Sequence, residues 1–295
     1  MSKWVEITRN TFSQSTNERN RGLKTPSCIL RRDNIVYGTD PTWQVTDVYR
    51  RKDSVGLPLP VIVSVHGGGW VYGTKEDYQF YCMDLAERGF AVVNFTYRLA
   101  PESKYPAPVE DTNLLFTWVM DHADEYGFDT EHIFAVGDSA GAHTLAIYAA
   151  VCTNEDYAQD YDFRVPEGFR FAALALNCGE YNVELDSAPD EDMIDSLMRD
   201  YLPEEGTCEE CAKASPVRYV TENFPPVYLM TSSADFLKPQ APLMAARLTE
   251  CNVPFVYKFY GSSEYQLRHV FHLDMKSPDA RICNDEECSF FKSYI

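Results

Sequence analysis

The chain has 295 residues, of which 45% are hydrophobic, so it is long enough to bury a large core. Its 26 basic and 45 acidic side chains give a formal net charge of −19, which disfavours nucleic acid or an anionic membrane as a partner because both would repel the protein. No apolar segment approaches the length needed to cross a bilayer, and residues 1–10 lack the basic and then apolar layout of a secretory signal.

The nine cysteines are scattered between Cys28 and Cys288. An odd number of cysteines without an export signal is most simply a set of free thiols in a reducing compartment, so we expect a cytoplasmic protein. Cys208 and Cys211 have the spacing of metal ligands, but Cys283 and Cys288 are a poor second pair. Solvated loop cysteines explain the pattern better than a structural zinc site, and we expect no metal.

The first part of the chain predicts a polar segment followed by a pair of strands. Residues 1–25 are polar and irregular, with at most one short helix, and are a candidate for part of a lid. Residues 29–37 and 43–50 have the alternation of two antiparallel strands, joined by a turn at residues 38–41.

A buried strand then leads into three successive glycines. Residues 61–65 are apolar and mostly β-branched, which is typical of a strand covered on both faces of a parallel sheet. The segment His66-Gly67-Gly68-Gly69-Trp70 follows. Three glycines are unfavourable to order, so the backbone there must approach another group closely or adopt a positive φ. A loop whose N–H groups face a carbonyl oxygen and a flexible turn are the two interpretations, and the serine motif downstream favours the first.

Strand and helix alternate from Val61 onward. A helix over 76–88 is closed by Gly89, a strand covers 90–97, and an amphipathic helix covers 109–125. This order predicts right-handed crossovers and a mostly parallel sheet with helices on both faces, in one domain over residues 1–295. Ligands of such sheets bind at the carboxyl ends of the strands.

The next predicted strand ends in a second glycine motif, which surrounds a serine. Residues 133–136 are apolar, residues 137–141 read Gly-Asp-Ser-Ala-Gly, and a helical apolar run resumes at Ala142. A strand that turns at once into a helix places Ser139 at a tight corner, where Gly137 and Gly141 leave room for two backbones. The corner holds the serine hydroxyl above the sheet, beside helical N–H groups suited to a developing oxyanion.

Three motifs in this order resemble one enzyme family. They are His66-Gly67-Gly68-Gly69-Trp70, Tyr97-Arg98-Leu99-Ala100-Pro101-Glu102 and Gly137-Asp138-Ser139-Ala140-Gly141. Together they resemble the hormone-sensitive-lipase-like group of α/β-hydrolase esterases, from about Val61 to the last strand. The resemblance implies an α/β-hydrolase fold, no cofactor, and hydrolysis of carboxylic esters through an acyl-enzyme.

In this fold the acid and the base follow the serine in chain order. Asp235 lies at the carboxyl end of a predicted strand over 226–231, and Asp235-Phe236-Leu237 resembles the acid segment of the family. The sequence departs from the family at Lys238, where an acidic residue is often found, and this departure leaves Asp235 itself unchanged. Asp235 is therefore the candidate acid.

Three histidines follow Ser139. His269 matches the His-x-Phe pattern of the family and is the candidate base, at the start of what we expect to be the last helical stretch. His272, one helical turn further on, is the second candidate. His143 lies on the helix that follows the serine, where its ring is expected to point along that helix and away from the hydroxyl.

The chemistry assigns a role to each of these residues. His269 removes the proton of Ser139 because imidazole titrates near neutral pH, and Asp235 fixes the tautomer of the ring. The N–H groups of Gly68, Gly69 and Ala140 are the predicted oxyanion hole. We expect His66 and Asp138 to brace the loops, without touching substrate.

Residues 1–25 and 180–223 are the predicted cap elements. The segment 180–223 is acidic and irregular, with a predicted helix over 190–201. Insertions at this point of the fold usually form a lid over the serine, and a solvated excursion away from the site is the alternative. The segment has no long apolar stripe, which favours small or polar esters over long-chain lipids. The aromatic residues leave an acetylated carbohydrate open as substrate, although core packing is their commoner use.

We therefore predict a serine carboxylesterase that cleaves short-chain, acetyl-like esters of small molecules. An amidase or peptidase with the same triad is one alternative, and a non-catalytic binding protein on the same fold is another. All three triad positions hold competent residues, which favours the enzyme. A homo-oligomer is left open.

Overall fold

A computed structural model describes residues 1–295. Eight strands form one sheet in the order β1-β2-β4-β3-β5-β6-β7-β8. The pairs β1–β2 and β2–β4 are antiparallel, and the other five pairs are parallel, which confirms the predicted mostly parallel sheet. The strands are β1 Ile29–Val36, β2 Val45–Arg51, β3 Leu59–Val65, β4 Ala91–Thr96, β5 Phe128–Asp138, β6 Ala173–Asn177, β7 Val227–Ser232 and β8 Phe255–Tyr260.

Ten α-helices accompany the sheet, and three short 3-10 turns cover Lys52–Ser54, Pro216–Arg218 and Phe271–Leu273. None of the helices combines the length and the apolar character that a membrane span requires. The helices are α1 Lys3–Asn20, α2 Lys75–Glu87, α3 Ala107–Asp121, α4 Ala123–Tyr126, α5 Ala140–Thr153, α6 Glu155–Ala158, α7 Met193–Tyr201, α8 Cys208–Lys213, α9 Gln240–Glu250 and α10 Pro278–Lys292.

The core lies on both faces of the sheet because successive strand residues point to opposite sides. Val61 and Val63 of β3 belong to the larger cluster, which α3, α5 and α9 cover. Ile62, between them, belongs to the second cluster, on the side of α2 and α10. All three side chains are fully buried, so β3 is covered on both faces, as its apolar sequence predicts.

Two helix predictions near the ends of the chain are wrong. Residues 1–25 are not irregular, because α1 extends over 18 residues. No helical stretch begins at His269, because Val270 has a left-handed φ of 50°, which an α-helix does not accommodate. A single 3-10 turn follows, and the last helix begins only at Pro278, where the fixed φ of proline suits a first helical position.

Two other predicted helices have different bounds. The helix expected over 109–125 is divided at His122, so that α3 ends at Asp121 and the short α4 follows. The helix expected over 190–201 begins at Met193. There the side chain of Asp192 accepts hydrogen bonds from the first N–H groups and so fixes the start.

Candidate active site

Ser139 occupies the corner between β5 and α5. Its φ of 52° and ψ of −122° lie in a region that residues with a side chain rarely adopt. A Cβ on Gly141 would lie 2.1 Å from the carbonyl oxygen of Val65, and one on Gly137 would lie 2.6 Å from that of Gly141. The two glycines are therefore needed because backbone segments touch at this corner, as the sequence predicts. The N–H of Ser139 donates to the carbonyl of Asn177 over 2.9 Å.

The glycine loop after β3 passes beside this corner. Gly68 has a φ of 131°, and a Cβ there would lie 1.9 Å from the carbonyl oxygen of Tyr72. Gly69 has a φ of 61° and lies against Leu197 of α7. The N–H groups of Gly68 and Gly69 donate to no group within the protein. Ala140 is the first residue of α5, where N–H groups have no partner within the helix.

A tyrosine of α2 joins the glycine loop to the serine corner. The hydroxyl of Tyr78 accepts the N–H of Gly67 over 2.9 Å and donates to Oδ2 of Asp138 over 2.8 Å. Burial raises the pKa of Asp138 to about 6, although the bond from Tyr78 acts to lower it. This network gives Asp138 the bracing role that the sequence predicts, with Tyr78 as its partner.

The third motif holds the glycine loop from the other side. The ring of Tyr97 stacks on His66 with 4.0 Å between centroids, and its hydroxyl donates to the carbonyl of His66 over 2.6 Å. Burial lowers the pKa of His66 to about 4, so the ring is neutral at pH 7. His66 therefore lies inside the fold and supports the loop, as the sequence predicts.

Asp235 and His269 form a close pair. Nδ1 of His269 lies 2.6 Å from Oδ1 of Asp235. The same carboxylate accepts the N–H of Leu237 over 2.9 Å and the hydroxyl of Thr231 over 2.7 Å. Burial acts to raise the pKa of Asp235, but the bonds from His269 and the other donors hold it below the usual value. Asp235 is thus ionised at neutral pH and keeps the imidazole in one orientation.

The two loops that carry this pair are attached to each other. Ser232 at the end of β7 donates to the carbonyl of Arg268 over 3.0 Å, and Ala234 forms an isolated parallel bridge with Arg268. Lys238, the departure from the family pattern, donates to the carbonyl of Ser233 over 3.0 Å. The lysine therefore forms a hydrogen bond within the loop that carries Asp235, and it does not contact the carboxylate of Asp235.

The other two histidines after Ser139 are fully buried. His143 accepts a hydrogen bond from Trp70 at Nδ1 over 3.0 Å, and its Nε2 lies 2.7 Å from the carbonyl of Ala214. Both ring nitrogens have partners, and burial lowers the pKa of His143 to about 4. His272 is fully buried against Tyr81, and burial lowers its pKa to about 3. Neither ring is placed to exchange a proton with substrate.

A cavity of about 500 Å³ contains Ser139 and His269 in its wall. Gly68 and Asp138 also line it, whereas Asp235 lies behind His269, and Gly69 and Ala140 adjoin lining residues without being among them. A cavity of this size falls within the usual range for small-molecule sites. The structure thus brings the predicted nucleophile and base to the lining of one cavity, with the predicted acid hydrogen-bonded to the base.

The first helix contributes Phe12, Ser15, Thr16 and Arg19 to the lining of the cavity. Arg9 attaches this helix to the core, because it donates to the carbonyls of Val71 and Ala100 and forms an ion pair of 2.6 Å with Glu102. The motif Tyr97–Glu102 thus contacts both the glycine loop and α1.

A buried thiol adjoins the acid and the base. Ligand atoms of Cys178, Asp235 and His269 lie within 4.8 Å of one another. Burial raises the pKa of Cys178 well above its usual value, so the residue is a thiol and not the thiolate that binds metals. The atoms of Asp235 and His269 that face each other already share a hydrogen bond.

Sequence reasoning missed Tyr78 and the cavity residues of α1. Tyr78 belongs to no motif and lies 60 positions from Asp138, so only the packing of α2 on the sheet brings the two together. The residues Phe12, Thr16 and Arg19 recur at helical spacing on one face of α1, but only the first is apolar, so hydrophobic periodicity does not single them out.

A protein-family model described as BD-FAE matches residues 46–246, which is more than half of the chain. The chain belongs to the BD-FAE family. Esterase LipC of Mycobacterium tuberculosis is 32% identical over 216 residues, which cover 71% of this chain and 52% of that protein. Versiconal hemiacetal acetate esterase of Dothistroma septosporum is 27% identical over 250 residues, which cover 80% of this chain and 73% of that protein. This BD-FAE chain thus spans about half the length of the first relative and three quarters of the second.

Among solved structures, esterase B of Lactobacillus rhamnosis matches with a TM-score of 0.88 at 23% identity. The match covers 98% of this chain and 93% of that one, and it confirms the α/β-hydrolase fold. The named relatives are esterases and support a carboxylic ester hydrolase domain in this BD-FAE chain, in keeping with its resemblance to the hormone-sensitive-lipase-like esterases.

Proposed function

We propose that the whole protein hydrolyses short-chain, acetyl-like esters of small molecules through a covalent acyl-enzyme. One observation carries the proposal: the paired imidazole of His269, with Nδ1 2.6 Å from Asp235, lines the same cavity as Ser139. In this proposal Ser139 is the nucleophile, His269 the general base and Asp235 the residue that orients the ring. The cap role of residues 1–25 and 180–223 is part of the same proposal.

The first half of the reaction forms the acyl-enzyme. Because Nδ1 of His269 is hydrogen-bonded to Asp235, Nε2 is the nitrogen that accepts the proton of Ser139. This proton transfer accompanies the attack of the serine oxygen on the ester carbonyl. The imidazolium that results is stabilised by the carboxylate of Asp235, which stays ionised. His269 then gives the proton to the departing alkoxide, and the carbon–oxygen bond to the alcohol breaks.

The second half uses the same groups with water. His269 takes a proton from a water molecule, which attacks the acyl carbonyl, and returns that proton to Ser139 as the acid leaves. In both halves the negative charge develops on the carbonyl oxygen. The N–H groups of Gly68, Gly69 and Ala140 are the proposed donors, and each such donor is worth about 3 kcal/mol in the transition state. The free N–H groups of the two glycines support this assignment.

Two relatives support the short acyl chain. The one from Dothistroma septosporum is named as an acetate esterase, and esterase B has been crystallised with a C4-C4 tributyrin phosphonate. The cavity of about 500 Å³ also suits a small ester. We therefore assign acyl chains of acetyl to butyryl length to this protein.

A series of p-nitrophenyl esters from acetate to palmitate tests the proposal, with the wild type and Ser139→Ala assayed side by side. We expect kcat/KM to be highest for the shortest chains and turnover to disappear in the variant. A preference for palmitate would contradict the acyl length, and activity that survives Ser139→Ala would contradict the nucleophile.

Mass spectrometry separates the mechanism from simple ester binding. A slow substrate mixed with His269→Ala should leave Ser139 acylated in a small fraction of molecules, and none in Ser139→Ala. Turnover of the matching anilides but of no ester would instead identify an amidase.

A further inference from the structure

We propose that the cavity selects esters that carry a carboxylate at some distance from the scissile bond, and that Arg19 and Arg268 bind this carboxylate. The proposal deepens the proposed ester hydrolysis and rests on it. The two guanidinium groups belong to different elements, since Arg19 lies on α1 and Arg268 directly precedes the proposed base.

Arg19 is held at the cavity by neutral partners. Its Nε donates to the side-chain oxygen of Asn20 over 3.2 Å, and its Nη2 donates to the main-chain carbonyl of Asp77 over 2.6 Å. The guanidinium carbon lies 5.9 Å from the centre of the Tyr78 ring. Neither hydrogen bond neutralises the charge, and the guanidinium has N–H groups beyond the two used here.

Arg268 is fixed through its backbone and free in its side chain. Its carbonyl accepts the hydroxyl of Ser232, and its main chain bridges to Ala234. The side chain is exposed at the cavity and makes no hydrogen bond or ion pair within the protein. The cavity lining therefore holds one guanidinium with partners in the protein and one without.

The negative charges that would repel an anionic substrate have a smaller effect at this cavity than the net charge of the chain suggests. The chain as a whole carries −19, but exposed charges beyond about 8 Å are largely screened at physiological ionic strength. Asp138 is the one acidic residue that lines the cavity, and its carboxylate is buried and accepts the hydroxyl of Tyr78. The carboxylate of Asp77 also interacts electrostatically with Arg19. Its Oδ2, however, already accepts a hydrogen bond from the N–H of Thr74.

The geometry of guanidinium suits a carboxylate because two parallel N–H groups match its two oxygens. An ester can carry that carboxylate on its acyl half or on its alcohol half. Both halves offer the same chemistry to the two arginines. The experiment therefore includes one substrate pair for each half.

The alcohol pair is 3-acetoxybenzoate and its methyl ester, and the acyl pair is p-nitrophenyl hydrogen adipate and its methyl ester. The quantity measured is kcat/KM for the charged substrate divided by that for its neutral partner, in the wild type, Arg19→Gln, Arg268→Gln and the double variant. Comparing this ratio between enzymes cancels the different chemical reactivity of the substrates. We expect each single variant to lower the ratio about tenfold on at least one pair.

Two control variants separate binding of the anion from other effects. Asn20→Ala removes the acceptor of the Arg19 Nε and a bond of 3.2 Å to the carbonyl of Asp77 without removing a charge, so it reports on the anchoring of Arg19 and α1. Arg164→Gln changes the net charge equally at an exposed position that does not line the cavity. Arg164→Gln should leave the ratio unchanged, Asn20→Ala should lower it less than Arg19→Gln does, and Arg19→Lys should recover part of it.

Each outcome decides a separate point. A ratio that stays within about twofold in the double variant, on both pairs, would overturn the carboxylate site. An equal loss for charged and neutral esters would assign the two arginines a structural role and would overturn it as well. Absence of any turnover by the wild type, neutral esters included, would contradict the proposed hydrolysis and not the selection between substrates.

Discussion

The buried carboxyl of Glu287 yields a prediction about stability. Glu287 lies on α10, fully buried, where Tyr81 donates to Oε1 over 3.0 Å and Asn177 donates to Oε2 over 2.7 Å. Burial raises the pKa of Glu287 to about 7, although both hydrogen bonds act to lower it. The carbonyl of Asn177 accepts the N–H of Ser139, so the network extends to the serine corner.

The sign of the effect follows from proton binding. The unfolded chain titrates Glu287 near its ordinary pKa of 4.5, so between pH 4.5 and about 7 the folded protein holds a proton that the unfolded chain has released. The stability that comes from this site is fully present below pH 4.5 and is lost as the pH rises through about 7. At about 1.4 kcal/mol for each pKa unit, the loss is about 3 kcal/mol.

The variant Glu287→Gln stays neutral at every pH and so removes this dependence. We expect the free energy of unfolding of the variant, relative to the wild type, to rise by about 3 kcal/mol between pH 4.5 and pH 8.5. Urea unfolding curves of both proteins at several pH values measure it. The variant is expected to keep ester hydrolysis, because Glu287 does not line the cavity.

Glu286→Gln is the matched control on the same helix. Burial acts to raise the pKa of Glu286, but bonds from Tyr260 and Lys258 hold it below the usual value. Its stability contribution is therefore present above the unfolded pKa and lost as the pH falls, so this variant should weaken relative to the wild type at high pH. A constant difference between Glu287→Gln and the wild type from pH 4.5 to 8.5 would refute the reasoning.

Three further predictions concern turnover. Asp235→Asn should lower kcat by about 10⁴ with unchanged circular dichroism, because the imidazole loses its orientation; a loss below about tenfold in p-nitrophenyl acetate assays would remove Asp235 from the triad. His272→Leu should keep most of the activity and His269→Leu should lose nearly all of it, and the reverse result would exchange the two assignments. Tyr78→Phe should lower kcat about tenfold with little change in KM. The acidic limb of its pH profile should also move upward, because the lost bond lowers the pKa of Asp138 in the wild type; an unchanged profile would confine Tyr78 to a structural role.

The parts of the site that the sequence predicts are those set by short-range sterics. Gly137 and Gly141 are required by backbone contacts that follow directly from a strand turning into a helix. Asp235 lies immediately after β7, as the order of elements in the fold requires. Local geometry of this kind is visible in a few consecutive residues.

The parts that the sequence does not predict depend on distant contacts. Only Val5 and Thr8 of α1 are buried, so its apolar pattern is weak, and bonds from Arg9 to residues more than 60 positions away hold the helix in place. The absence of a helix at His269 follows from the left-handed backbone of Val270, which β-branched residues rarely adopt and which no sequence rule anticipates.

The first helix contributes four residues to the cavity wall and none of the groups proposed to carry out the reaction. Part of the proposed substrate selection therefore lies on a helix that carries no proposed catalytic group, and Arg9 attaches this helix to the loop after β4. Exchange of residues 12–19 among related proteins that keep this attachment would give enzymes of different preference with the same chemical machinery. Selection on a new substrate can thus act on a short helical segment, without disturbing the strained corner at Ser139.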